Sequence, residues 1–180
     1  MEILKYPNKI LSTRSENVKI TNEIRELATE MFMLMKNLSW GRAAGLAAPQ
    51  VGHNIRMFWA LDNLYINPEI INRGGTLILC KEGCYSLEDN KFDYEVERYS
   101  HIEMKWQDKK GVWHQTGFGG IRAQVIQHEY DHIEGKTCVD IAPKKEELKV
   151  EKPIKIKKVK KDGESITKPA RRGRPRSKNS

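Results

Sequence analysis

A chain of 180 residues, 38% hydrophobic and 31% charged, is enough for one domain and an appendage. Three cysteines are too few for a disulfide framework, and no run of 18 or more apolar residues or basic-then-apolar leader argues for a membrane helix or export. The net charge of +8 is unevenly placed: residues 144–180 hold 15 Lys+Arg against 5 Asp+Glu, whereas residues 1–143 hold 17 against 19. The basic character therefore belongs to the tail.

Along the chain, the first predicted element is a helix from about Asn22 to Lys36. Thr21 is its candidate N-cap, with Glu23 and Glu26 near the positive end of the dipole. Ile24 stands where a capping box would need Glu or Gln. Ile24, Leu27, Met31, Leu34 and Met35 recur at helical spacing and are predicted core. Gly45-Leu46-Ala47-Ala48-Pro49-Gln50 follows, a run of small side chains ending in an amide. From about Met57 to Gln115 short apolar runs alternate with Gly, Asn and Asp turns, which predicts antiparallel strands. Glu82-Gly83-Cys84-Tyr85-Ser86 lies within that stretch, and Gly117-Phe118-Gly119-Gly120 is expected to break the strand pattern before the next helix. Strands with a helix on either side give an α+β fold.

That next helix carries His128-Glu129-Tyr130-Asp131-His132. Positions i and i+4 share a helix face, so the two histidines can point at one metal ion, with Glu129 placed to accept a proton from a water activated there. A catalytic divalent ion usually takes three protein ligands. Cys80, Cys84, Cys138, His101 and His114 are the remaining candidates. The elongated zinc-protease pattern HExxHxxGxxH is matched up to its last place, where Cys138 stands instead of histidine, so a zinc peptidase is one reading.

The three stretches Gly45–Gln50, Glu82–Ser86 and Gln127–His132 resemble, in order, the GxGxAAxQ, EGCxS and QHExDH motifs of the peptide deformylases. The likeness spans about residues 1–141 and includes Ile3-Leu4-Lys5-Tyr6-Pro7. It implies antiparallel sheets packed around a central HExxH helix, and an enzyme that removes the formyl group from the formylmethionine of nascent polypeptides. It implies that Cys84, His128 and His132 hold the metal, with Fe(II) favoured and zinc, nickel or cobalt also suited to thiolate and imidazole. Cys138 and Cys80 are then small buried thiols. Glu129 becomes base and then acid, and the Gln50 amide and Tyr85 backbone N–H become the donors to the developing oxyanion. Because the family holds its substrate like an added strand, Gly45 is expected to contact the substrate backbone, and Ile121 and Val125 to wall the methionine pocket. Asp131 is expected either to fix the tautomer of a ligand histidine or to serve as a surface or capping residue, and Glu82 to pair with Arg98.

The sequence departs from the family pattern at two places. Ala43 stands for the first motif glycine, followed by Ala44 where a bulkier aliphatic residue is common. Leu87-Glu88-Asp89-Asn90-Lys91 lacks the usual proline and has lysine for arginine. From about residue 144 few large apolar residues remain, and a disordered basic tail is expected. Its Arg171-Arg172-Gly173-Arg174-Pro175-Arg176 resembles the core of an AT-hook, which lays arginines in an A·T-rich minor groove. A solvated tail with only salt-sensitive attraction to nucleic acid or the ribosome surface is the simpler reading. The remaining rival is a nucleic-acid-binding protein with a structural metal. The expected location is the cytoplasm of a bacterium, organelle or virus-infected cell, with no membrane partner.

Overall fold

The computed structural model describes residues 1–38, 43–87 and 94–142. Lys91 with its neighbours 88–90, and the tail with its Arg171–Arg176 segment, lie outside the described residues.

Helix α1 spans Asn22–Asn37, close to the expected range. It buries Ala28, Met31 and Met35, with Ile24, Leu27 and Leu34 partly buried beside them. Thr21 sits at the N-cap position, but its side chain makes no capping hydrogen bond. Burial of one stripe, rather than a cap, anchors this helix.

The strands are β1 (Gly45–Ala47), β2 (Met57–Ala60), β3 (Asn63–Glu82), β4 (Tyr94–Gln107) and β5 (Trp113–Gly119). They pair antiparallel in the order β1-β2-β3-β4-β5. The sequence suggested several sheets; among the described residues the strands join in one. Register shifts between Ile66 and Glu69, Ile70 and Asn72, and Gly74 and Leu77 let the 20-residue β3 follow β4 without separating into independent strands.

β5 ends within the expected glycine run, at its last step. Gly117 and Gly119 remain paired with β4, and the change comes one residue later, at Gly120, whose φ of 58° begins helix α2 (Gly120–Ile133). A short helix, α3 (Cys138–Ile141), follows.

Apolar burial falls into separate clusters. Ala123, Val125, Ile126, Tyr130 and Ile133 of α2 pack with Phe58, Ala60, Tyr65, Ile102, Met104 and Phe118 of the sheet. The α1 stripe packs with Leu46, Val51, Met57 and Ile66. A smaller cluster joins Cys84, Leu87, Val96 and Cys138. Among the described residues no helix is long and apolar enough to cross a membrane.

Candidate metal centre

α2 buries polar groups as well as apolar ones: Gln127, Glu129 and His132 are all within a few per cent of full burial. Such burial is costly unless each group has a partner. Gln127 is satisfied, donating to the carbonyls of Tyr99 and Ala123 and accepting from the Tyr99 N–H. Glu129 Oε2 and His132 Nδ1 have no partner among the described residues.

One ligand atom each from Cys84, His128 and His132 lies within 4.8 Å of the other two. Cys84 Sγ is 3.2 Å from His132 Nε2, and the two imidazole rings stand edge to face at 5.1 Å. The helix supplies the histidines one turn apart, and the turn after β3 supplies the thiol. The Cys84 thiol is held well below its ordinary value: burial opposes ionisation, but His132 and His128 outweigh it. A thiolate and two imidazoles converging in a buried site, next to an unsatisfied carboxylate oxygen, fit a single divalent ion.

The back of His128 is tied down. Its Nδ1 lies 2.9 Å from Glu82 Oε2, which leaves Nε2 for the metal side. Arg98 donates to both oxygens of Glu82, at 2.8 and 2.7 Å, and to Asp131 at 2.5 Å. Burial alone would raise the Glu82 carboxyl, yet Arg98 and His128 hold it down to about 2. The Glu82–Arg98 pairing expected from sequence is present. Asp131, by contrast, reaches Arg98 and no histidine; Glu82 fixes the tautomer instead. Cys138 is buried as expected, but it does more than pack. Its sulfur lies 3.6 Å from His128 Nδ1 and 3.8 Å from Glu82 Oε2, so that Glu82, His128 and Cys138 form a second group of possible ligand atoms on the Nδ1 side of the ring. Cys80 is a buried free thiol.

Gln50 is 3% exposed, held because its Oε1 accepts the Ala47 N–H at 2.8 Å. That bond turns Nε2 toward Cys84 Sγ at 3.5 Å and Ser86 Oγ at 3.2 Å. Gln50 is thus both a turn amide and a donor facing the cluster. Burial raises Glu129 to about 7 despite the opposing pull of His128 and His132. Gly45 faces this carboxyl so closely that a Cβ would lie 2.6 Å from Glu129 Cδ, so a larger residue there would displace the Glu129 side chain.

A cleft of about 180 Å³ opens over the cluster. Its walls include Gly45, Gln50, Cys84, Tyr85, Ile121, Val125, His128 and Glu129, together with Ala43 and Ala44. All the predicted substrate and catalytic positions therefore border one space, whereas His132, buried against Cys84, does not line it. Val125 is 8% exposed, whereas Ile121 is 65% exposed at the rim. Sequence reasoning missed Gln124 and Lys81, which also line the cleft. Gln124 lies one turn before His128 and could have been found by helical spacing. Lys81 had no such signal.

The family model for polypeptide deformylase matches residues 1–147. A peptide deformylase of Dictyoglomus thermophilum is 39% identical over 155 residues, covering 83% of this chain and 97% of that protein. One from Afipia carboxidovorans is 34% identical over 153 residues, covering 79% and 86%. Among solved structures, a Plasmodium falciparum peptide deformylase in complex with an inhibitor aligns with a TM-score of 0.74 at 31% identity, covering 83% of this chain and 94% of that one. A probable peptide deformylase from synechococcus phage S-SSM7 aligns with a TM-score of 0.70 at 33% identity, covering 78% and 99%.

Proposed function

The chain belongs to the polypeptide deformylase family, and from that premise we propose that Cys84, His128 and His132 hold its divalent ion, with Fe(II) the native metal. The protein is a metal-dependent peptide deformylase, hydrolysing the N-formyl group of formylmethionyl peptides to formate and a free amine. The observation that carries the site assignment is the convergence of one thiol, two imidazoles and a partnerless carboxylate in one cleft.

When bound, the ion supplies Lewis acidity toward the formyl oxygen and makes water acidic enough to be used at neutral pH. Every other task falls to side chains and backbone. Glu129, poised near neutrality, takes a proton from the attacking water and delivers it to the leaving amine nitrogen. Gln50 Nε2 and the Tyr85 N–H donate to the oxygen on which negative charge develops. The Gly45 backbone aligns the peptide, and Val125 and Ile121 receive the methionine side chain. Glu82, clamped by Arg98, holds the His128 ring so that its free nitrogen faces the cleft. Burial of Glu129 and His132 restricts competing solvent.

This reading takes α2 as the central helix of the catalytic domain, residues 1–143, supported by its shared apolar cluster with the sheet. Residues 144–180 form a basic tail that draws the enzyme toward ribosomal RNA in the cytoplasm, supported by their charge alone. A peptidase using Cys138 as third ligand is disfavoured by that sulfur's place on the Nδ1 side of His128.

The test is metal content and formate release from formyl-Met-Ala-Ser, with protein loaded anaerobically with Fe(II). Cys84→Ala is expected to lose the ion and the activity while keeping its far-ultraviolet circular dichroism; Cys138→Ala is expected to keep the ion. The reverse pattern would transfer the third ligand to Cys138 and sink the assignment.

A further inference from the structure

The chain leaves α2 at Glu134 and turns on Gly135, whose φ of 73° and close approach to the backbone of Ser12, Thr13 and Arg14 leave no room for a Cβ. It then enters α3, where the Thr137 N–H and hydroxyl both donate to Asp140, at 2.7 and 2.8 Å. Cys138 is thereby set against His128, and it is 1% exposed. It joins the apolar cluster of Cys84, Leu87 and Val96, where a hydrocarbon side chain of its size would pack equally well. What sets a thiol apart at this place is the hydrogen on its sulfur.

Cys138 Sγ donates to Glu82 Oε2 at 3.8 Å. The same oxygen accepts from Arg98 Nη2 at 2.7 Å and from His128 Nδ1 at 2.9 Å, whereas Oε1 accepts from Arg98 Nε at 2.8 Å and, among the described residues, from nothing else. A carboxylate oxygen offers about two lone-pair sites, so three donors share Oε2. We propose that Cys138 is a positioning residue that tunes His128: by sharing Glu82 Oε2, its thiol weakens the carboxylate's hold on His128 Nδ1. The proposal rests on Cys84, His128 and His132 being the metal ligands. A carboxylate on one imidazole nitrogen raises the basicity of the other, ligating nitrogen. The thiol moderates that effect, so the imidazole gives less charge to the ion and leaves it the stronger Lewis acid toward the formyl group. Some metal affinity is exchanged for catalytic power. A second ion held by Glu82, His128 and Cys138 fits less well, because it sets a cation against the Arg98 guanidinium, which already donates to both Glu82 oxygens.

The experiment titrates Co(II) into the chelator-treated full chain against a competing chelator, for the original protein, Cys138→Val and Cys138→Ala. It then measures kcat and KM for formyl-Met-Ala-Ser on the loaded proteins. Valine keeps the bulk without the donor and alanine removes both, so a folding defect in one variant leaves the other to answer. Both are expected to bind Co(II) about three- to tenfold more tightly, less than the roughly 10- to 100-fold effect of removing a ligand's supporting partner outright. At unchanged KM, kcat is expected to fall about two- to fivefold. The sign separates tuning from packing: replacing a side chain that only fills space loosens the site and weakens metal binding. Equal or weaker Co(II) binding in both variants would overturn the proposal with the ligand assignment intact. Loss of a second equivalent of Co(II) in both would overturn it in favour of an additional metal site. Retention of Co(II) by Cys84→Ala would remove the ligand assignment, and the proposal with it.

Discussion

The two long helices bury their side chains for different reasons. α1 turns one stripe inward, Ala28, Met31 and Met35, and leaves its charged faces in water. α2 buries Gln127, Glu129, Tyr130 and His132 alongside Ala123, Val125, Ile126 and Ile133. A purely structural helix gains nothing from hiding a carboxylate. The polar burial of α2 is compensated piece by piece, by the Tyr99 backbone around Gln127 and by the Glu82–Arg98–Asp131 network behind His128. What remains uncompensated among the described residues is Glu129 Oε2, on a residue that lines the cleft, and His132 Nδ1 beside it on the same helix. Stability is read from α1, and function from the unpaid remainder on α2.

Substitutions sharpen this contrast. Gln50→Ala removes a donor that faces the cluster, and kcat is expected to fall roughly 100- to 1000-fold with bound metal unchanged. Steady-state formate release beside elemental analysis checks it; an unchanged kcat would reduce Gln50 to a turn amide. Met31→Ala leaves a cavity beneath α1 and is expected to cost about 2–5 kcal/mol in denaturant unfolding, with kcat unaltered. A kcat loss of similar size to that of Gln50→Ala would erase the distinction between the helices.

Glu82→Gln weakens the hold on His128, and metal affinity is expected to drop about 10- to 100-fold. The same substitution carries a pH signature. Because the folded carboxyl titrates near 2 and the unfolded one near 4.5, its ionisation stabilises the fold above pH 4.5, and that stabilisation is lost as pH falls toward 2. The stability gap between the original protein and Glu82→Gln should therefore be widest above pH 4.5 and close toward pH 2. Unfolding curves on chelator-treated protein measure it, and a gap independent of pH would mean that Arg98 does not hold the ionised form.

Much of this was legible in the sequence because the signals are local. The α1 stripe, the i and i+4 histidines and the alternating strands are periodicities of a few residues. Gly45 was read as a substrate contact, but its close approach to Glu129 depends on how β1 meets α2, which no local pattern encodes. For Asp131 the motif offers a histidine partner or a surface or capping role, whereas its carboxylate pairs with Arg98 on β4. Cys138 looked like inert packing until the fold set it behind His128. The joining of β3 and β4 into one sheet depends on register shifts, which turn residues alone do not announce.

The most direct test of the central claim is metal content and formate release in one Fe(II)-loaded preparation, for the original protein and Glu129→Gln. The account predicts equal metal in both, with formate release from formyl-Met-Ala-Ser lost by about 100-fold or more in the variant. Full activity in Glu129→Gln, with metal bound, would contradict it.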